Sequence, residues 1–185
     1  MKVPPARADS FAAAPPADIR AILIYGPDLG LVRERAEAAA IAVAGSLSDP
    51  FNTVEFTPAA LKDEPSRLTD EACALSMMGG RRVVRLRDAT DAVSGAATDA
   101  LASGGEALVI IEAGDLNPRS KLRALFEKAD GAAAIACYMD EGPGLDELVR
   151  KALGDAGMAA DRDVVSWIAG NLGSDRMVSR MELEK

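Results

Sequence analysis

Short, wholly apolar runs alternate with longer, partly apolar ones along most of this chain. Residues 21–25 are apolar throughout and are stopped by Gly26-Pro27, the pattern of a strand buried on both faces of a parallel sheet. Residues 29–44 read as a helix ended by Gly45, with Leu31, Ala36, Ala39 and Ala40 as its apolar stripe. A second strand is predicted at 53–56. A helix then follows from about Ser66 to Met78, closed by Gly79-Gly80, with Leu68, Ala72 and Leu75 on the face expected to lie buried under the sheet. Alternation over 81–87 predicts a strand, and 88–103 a weakly amphipathic helix. The clearest strand is 107–111. After it Asn117 and Pro118 offer an N-cap and first-turn residue for a helix reaching about Lys128, and 132–138 is the last strand.

Five strands separated by helices make a parallel sheet with right-handed crossovers the economical topology. The pattern changes after Gly142-Pro143-Gly144: 145–153, 161–172 and 174 onward are helical, with no strand between them. The expected organisation is a proline- and alanine-rich extended arm at 1–20, an α/β domain at 21–141, and a small helical domain at 142–185. That last domain is expected to be truncated, because its final pattern has no stop signal.

Composition narrows the function. Hydrophobic residues make up 49% of the 185, aromatics only 4%, so the core is built from aliphatic side chains and alanine. A formal charge of −8 argues against broad attraction to phosphate backbones. The absence of histidine removes the commonest general base and transition-metal ligand. Cys73 and Cys137 lie far apart in apolar surroundings and are expected to be buried, reduced thiols. No signal peptide and no run of roughly 20 apolar residues is visible, so a cytoplasmic location with no membrane partner is expected.

In a nucleotide-binding α/β protein the loop after the first strand carries glycines that cradle phosphates, a Lys, and a Ser or Thr for magnesium. Here it reads Gly26-Pro27-Asp28-Leu29-Gly30-Leu31-Val32-Arg33. Gly26 and Gly30 survive, but Leu31 and Val32 replace Lys and Ser/Thr, and Asp28 puts a negative charge where phosphates would sit. A plain strand-to-helix turn accounts for these residues. The later strand ends on Glu112 alone where a magnesium ATPase uses an acidic pair, and a cap or an ion pair within the carboxyl edge of the sheet is the other reading of that residue. No catalytic residue, metal or cofactor is expected. Met77-Met78 at a helix end reads either as an adaptable surface plug or as core filling. Arg119, Lys121 and Arg123 oppose the usual charge preference of a helix start, through an acidic or phosphate partner or simply as a solvated face. Trp167, with Val164, Val165, Ile168 and Leu172, fits the core of the helical domain.

Taken in order, LIYGPDLGLVRERA at 23–36, ALSMMGGRRVVRLRDA at 74–89, LVIIEAGDLNPRSKLRALFE at 108–127, CYMDEG at 137–142, LGSDR at 172–176 and MELEK at 181–185 resemble the delta subunit of bacterial DNA polymerase III, in its alphaproteobacterial form. The resemblance implies a RecA-like AAA+ domain that does not bind ATP, a helical lid, and a collar domain beyond this sequence. It implies that the sliding clamp (the beta subunit) is bound and opened by a hydrophobic pair at a helix tip before a basic strand. Met77 and Met78 stand at those positions, two methionines replacing the family's usual Leu-Phe couple, with Leu75 and Ser76 before them and Leu75 counted among the clamp-binding residues. It further implies tau/gamma and delta prime subunits as partners, DNA contact only within the assembled loader, and a place in the polymerase holoenzyme without intrinsic catalysis. An active P-loop ATPase or kinase, and an α/β regulatory or scaffold domain unrelated to the clamp, are the alternative classes.

Overall fold

The structure, a computed structural model, describes residues 1–76, 79–138, 149–150, 152–154 and 157–171. The chain divides into two compact units, Met1–Cys137 and Tyr138–Lys185. The first is an α/β unit on a parallel sheet of five strands: β1 (Ala21–Tyr25), β2 (Thr53–Phe56), β3 (Val83–Ala89), β4 (Leu108–Ala113) and β5 (Ala132–Ala136), ordered β2-β3-β4-β1-β5. This is the RecA-like architecture expected from the sequence.

Every residue of β1 and β4 is buried, because both strands lie inside the sheet with apolar layers on each face. On one face Leu23, Tyr25, Leu86 and Ile111 pack with Leu68 of α4 (Arg67–Cys73), Ala97 of α5 (Ser94–Ala102), and Leu122 and Phe126 of α6 (Lys121–Lys128). On the other, Ile22, Ile24, Leu108 and Ile110 pack with Leu31, Ala36 and Ala40 of α2 (Leu29–Ala44) and with Phe11 of α1 (Ala8–Ala13). A short α3 (Ala60–Asp63) precedes α4.

Residues 1–20 differ from the extended arm read from their prolines. Pro5 opens a 3-10 turn over Pro5–Arg7 that runs into α1, a use of proline where its missing N–H costs nothing. Phe11 and Ala12 are buried, and Asp9 pairs with Arg35 of α2 at 2.8 Å. The Val3 amide donates to Ala134 at 2.9 Å, so the segment also lines the β5 edge.

Three boundaries shift, each for a visible physical reason. Asp88 adopts a left-handed φ of 54° at a register shift, which carries β3 past the expected end at Arg87 to pair Ala89 with Ala113. The helix expected from residue 88 therefore starts at Ser94, after a 3-10 turn at Asp91–Val93 capped by Thr90. α6 starts at Lys121, not beside Pro118. Ser120 is its N-cap, accepting from the Arg123 amide at 3.0 Å, and the Asp91 carboxylate accepts the Lys121 and Leu122 amides at 3.1 Å each.

In the second unit, residues 149–150 and 152–154 are helical and α7 spans Arg162–Asn171. Val149, Val165 and Ala169 form a buried cluster with Leu153 and Ile168 beside it. The expected core role of Trp167 does not hold: it is 70% exposed, with Val164 on the same outward side. The i, i+4 pair Val165 and Ala169 is what faces inward, and a residue two positions from Val165 turns away. The 141/142 boundary, Leu172 and the helix expected from 174 onward fall outside the described residues. Among the described residues no helix is long and apolar enough to cross a membrane.

Candidate functional site

The loop joining β1 to α2 is shaped by close backbone approach. A Cβ on Gly26, whose φ is 155°, would lie 1.8 Å from the Cys137 carbonyl oxygen, so glycine is obligatory where β5 ends against this turn. Asp28 then caps α2: its Oδ1 accepts the Leu31 amide at 2.9 Å. The carboxylate is only 5% exposed, and its Oδ2 has no hydrogen-bond partner among the described residues. An internal anion thus takes the helix N-terminus on which a nucleotide's phosphates would rest.

The remaining side chains of the loop offer a phosphate neither an unpaired cation nor a hydroxyl. Leu31 and Val32 are buried in the layer that packs on the sheet, and Arg33 pairs with Glu37 at 2.8 Å on the solvent side of α2. Arg35, one turn on, ties α2 to the end of β5 through the Ala136 carbonyl at 3.1 Å and the Cys137 sulfur at 3.4 Å. Burial pushes the Cys137 thiol up to about 11, with Arg35 partly offsetting it, so this cysteine stays protonated near neutrality.

Glu112 sits at the end of β4, on the strand where a magnesium ATPase holds its metal. Its Oε1 accepts from Arg85 Nε at 2.9 Å and Nη2 at 2.7 Å, with both side chains almost fully buried. Arg85 also reaches Glu55 at 3.1 Å, and Glu55 pairs with Arg87 at 2.9 Å. The alternation of β3 sets Arg85 and Arg87 on one face, and the pairing of Arg85 with Ile110 puts Glu112 two residues further along the same face. Burial raises the Glu112 carboxyl above its usual range while Arg85 pulls the other way. A guanidinium therefore fills the place of a divalent cation, and the residues present do not fit a magnesium nucleotide. Of the two sequence readings of Glu112, the ion pair is the one realised. The alternation of 81–87 is equally that of a strand with a solvated arginine face, so the burial of Arg85 and its pairing with Glu112 come only with the assembled sheet.

The segment of Leu75, Met77 and Met78 departs from its expected helix. α4 ends at Cys73 and Ala74 is extended (φ −66°, ψ 131°). The turn before β4 presses on that helix end. The Ala107 amide donates to Ala72 O at 3.3 Å, and a Cβ on Gly105 would lie 2.2 Å from that oxygen, so a tight loop blocks a further turn. Leu75, expected on the buried face with Leu68 and Ala72, is instead 75% exposed, because the helix has ended before it and the extended Ala74 breaks the helical spacing. Ser76 Oγ bridges to Asn52 Oδ1 at 2.6 Å and Gly79 O at 2.7 Å, fastening the segment to the start of β2. Met77 and Met78 lie outside the described residues. Cys73, expected to be buried, is exposed, because it stands on the outer side of the last turn of α4.

The three cations near α6 separate. Arg123 pairs with Glu127 at 2.9 Å and lies over the Tyr25 ring at 5.3 Å, whereas Arg119 and Lys121 are exposed. Among the described residues no cluster of three or more metal-ligating side chains occurs.

No protein-family model matches the sequence, and no curated protein matches it. Solved structures do match. The Bacillus subtilis DNA clamp loader delta protein (YqeN) aligns with a TM-score of 0.65 at 14% identity, over 89% of this chain and 52% of that one. Domain III of the Thermotoga maritima replication initiation protein DnaA aligns at 0.53 and 14% identity, over 98% and 83%. A replication initiator DnaA bound to AMPPCP and single-stranded DNA aligns at 0.54 and 12% identity, over 89% and 54%. The chain spans about half the length of the clamp loader delta protein. What these structures share with the chain is the fold, a five-stranded parallel sheet flanked by helices.

Proposed function

We propose that the chain is the AAA+ portion of a clamp-loader delta-type subunit, which binds the polymerase sliding clamp and opens its ring without using ATP itself. The observation that carries this is the exposed Leu75, at 75%, on the bend between α4 and β3 where the resemblance assigns clamp binding. A large apolar side chain held outward by a fastened segment is what an interface anchor requires. Leu75, Met77 and Met78 form the anchor set in this reading. Their insertion into an apolar pocket on the clamp favours the open ring to the extent that the open state is contacted better than the closed one.

The tau/gamma and delta prime subunits are partners through the longer protein, and DNA is met only inside the assembled loader. An ATP-using role, as in an initiator, is opposed by Asp28 at the helix N-terminus, by Arg85 on Glu112, and by the buried Leu31 and Val32. The test is binding of the purified cognate clamp to the wild-type chain, to Leu75→Ser and to Met77→Ala/Met78→Ala. Each variant should lose about tenfold or more in affinity at an unchanged unfolding midpoint. A wild-type chain that ignores the clamp would instead support an α/β regulatory or scaffold domain.

A further inference from the structure

The amino-terminal ends of β1, β3 and β4 surround a cavity of about 590 Å³, at the opposite end of the sheet from the loop that starts at Gly26. Ligands of open α/β sheets ordinarily sit beyond the carboxyl ends of the strands, so this is not the fold's customary site. Its volume nonetheless falls in the range of roughly 300–1,000 Å³ typical of binding pockets.

Arg20, Arg81 and Arg82 line it, against Asp18 and Glu106. Arg82 is neutralised by Glu71 at 2.7 Å. Arg20 and Arg81 take part in none of the ion pairs among the described residues. Arg81 donates only to carbonyl oxygens: Nε to Glu106 at 2.8 Å, Nη2 to Ile19 at 2.6 Å and Nη1 to Ala17 at 3.5 Å. These bonds fix the guanidinium without cancelling its charge. Partial burial lowers the pKa of Arg81, with the Glu106 carboxylate opposing the shift. A cation that is part-desolvated, rigidly held and without an acid at ion-pair distance gains from an anion brought directly onto its free edge. Leu75 stands on the same wall.

We propose that this cavity receives a carboxylate side chain from the protein partner that takes Leu75, with Arg20 and Arg81 as its receptors. The inference rests on the clamp-binding reading. A protein acid is favoured over a nucleic-acid phosphate because the cations are recessed in a concave wall and the chain carries a formal charge of −8. The apolar anchor and the carboxylate receptor then divide the task, one supplying buried surface and the other orientation and encounter rate.

The experiment measures affinity for the purified cognate clamp, at low and physiological salt, for the wild-type chain, Arg20→Gln, Arg81→Lys and Leu75→Ser. Arg20→Gln should weaken binding about tenfold and flatten the salt dependence. Its unfolding midpoint should hold, because Arg20 has no side-chain hydrogen bond or ion pair among the described residues. Arg81→Lys keeps the charge and loses the fork, so a smaller loss with the salt dependence retained is expected. If Leu75→Ser weakens the clamp complex while Arg20→Gln leaves affinity and salt dependence unchanged, the cavity inference is overturned and the clamp reading stands. A wild-type chain that does not bind the clamp overturns both. Loss of duplex-DNA binding in Arg20→Gln with clamp affinity intact overturns it in favour of a phosphate site.

Discussion

Replacing Glu112 by Leu tests whether a buried ion pair occupies the position a metal would take. Arg85 and Glu112 have side chains 5% and 7% exposed, joined at 2.7 Å, so removing the acid leaves a guanidinium in the core. Stranding one member of a buried pair costs about 3–5 kcal/mol. Glu55 still reaches Arg85 at 3.1 Å from a side chain 41% exposed, which sets the expected loss near the lower limit, about 3 kcal/mol. The double variant Arg85→Met/Glu112→Leu removes both desolvated charges, and Glu55 keeps Arg87 at 2.9 Å. It should return to within about 1 kcal/mol of wild type or exceed it. Urea unfolding of the three chains at neutral pH reads these values. Arg85→Met adds a pH signature. Without its cation the buried Glu112 titrates well above an unfolded glutamate, so the stability linked to its protonated form is fully present below the unfolded pKa. That stability is lost as pH rises through the folded value, and the variant should gain on acidification from neutrality towards about pH 5. A Glu112→Leu chain as stable as wild type, or a double variant as unstable as the single, would refute the assignment.

Asp28→Ala should cost about 1 kcal/mol through loss of the α2 cap, measured by the same unfolding. Leu31→Lys/Val32→Thr should not confer ATP binding while Asp28 holds the helix N-terminus, and a micromolar dissociation constant by calorimetry would contradict this. Gly26→Ala forces a Cβ to within 1.8 Å of the Cys137 carbonyl, so the chain should fail to yield a cooperative thermal transition, whereas Gly45→Ala, which meets nothing within 4 Å, should still give one. In thiol titration at neutral pH the exposed Cys73 should react at once and Cys137 only on unfolding; two fast equivalents would count against the buried, protonated thiol.

Period and punctuation located the strands, though not their exact ends, because β1 and β4 are buried on both faces and leave apolar runs that no solvated element would carry. Gly45 likewise marked the end of α2 without tertiary help. The loop from Gly26 was legible as a phosphate loop lacking its cation and hydroxyl, since that chemistry depends on residue type at fixed spacing. What the sequence could not hold was any feature made by two distant segments. α4 stops at Cys73 because the turn at Gly105, more than thirty residues on, blocks its continuation. The N-cap of α6 moved to Ser120 because Asp91 approaches from another element. Trp167 faces out because Val165 and Ala169 pack on Val149. Arg85 finds Glu112, and Arg81 its three carbonyls, only after the sheet has set its order. Local periodicity records which face of an element is apolar, whereas the partner of a buried charge and the obstacle at a helix end are set by contacts far apart in the chain, which no local pattern encodes.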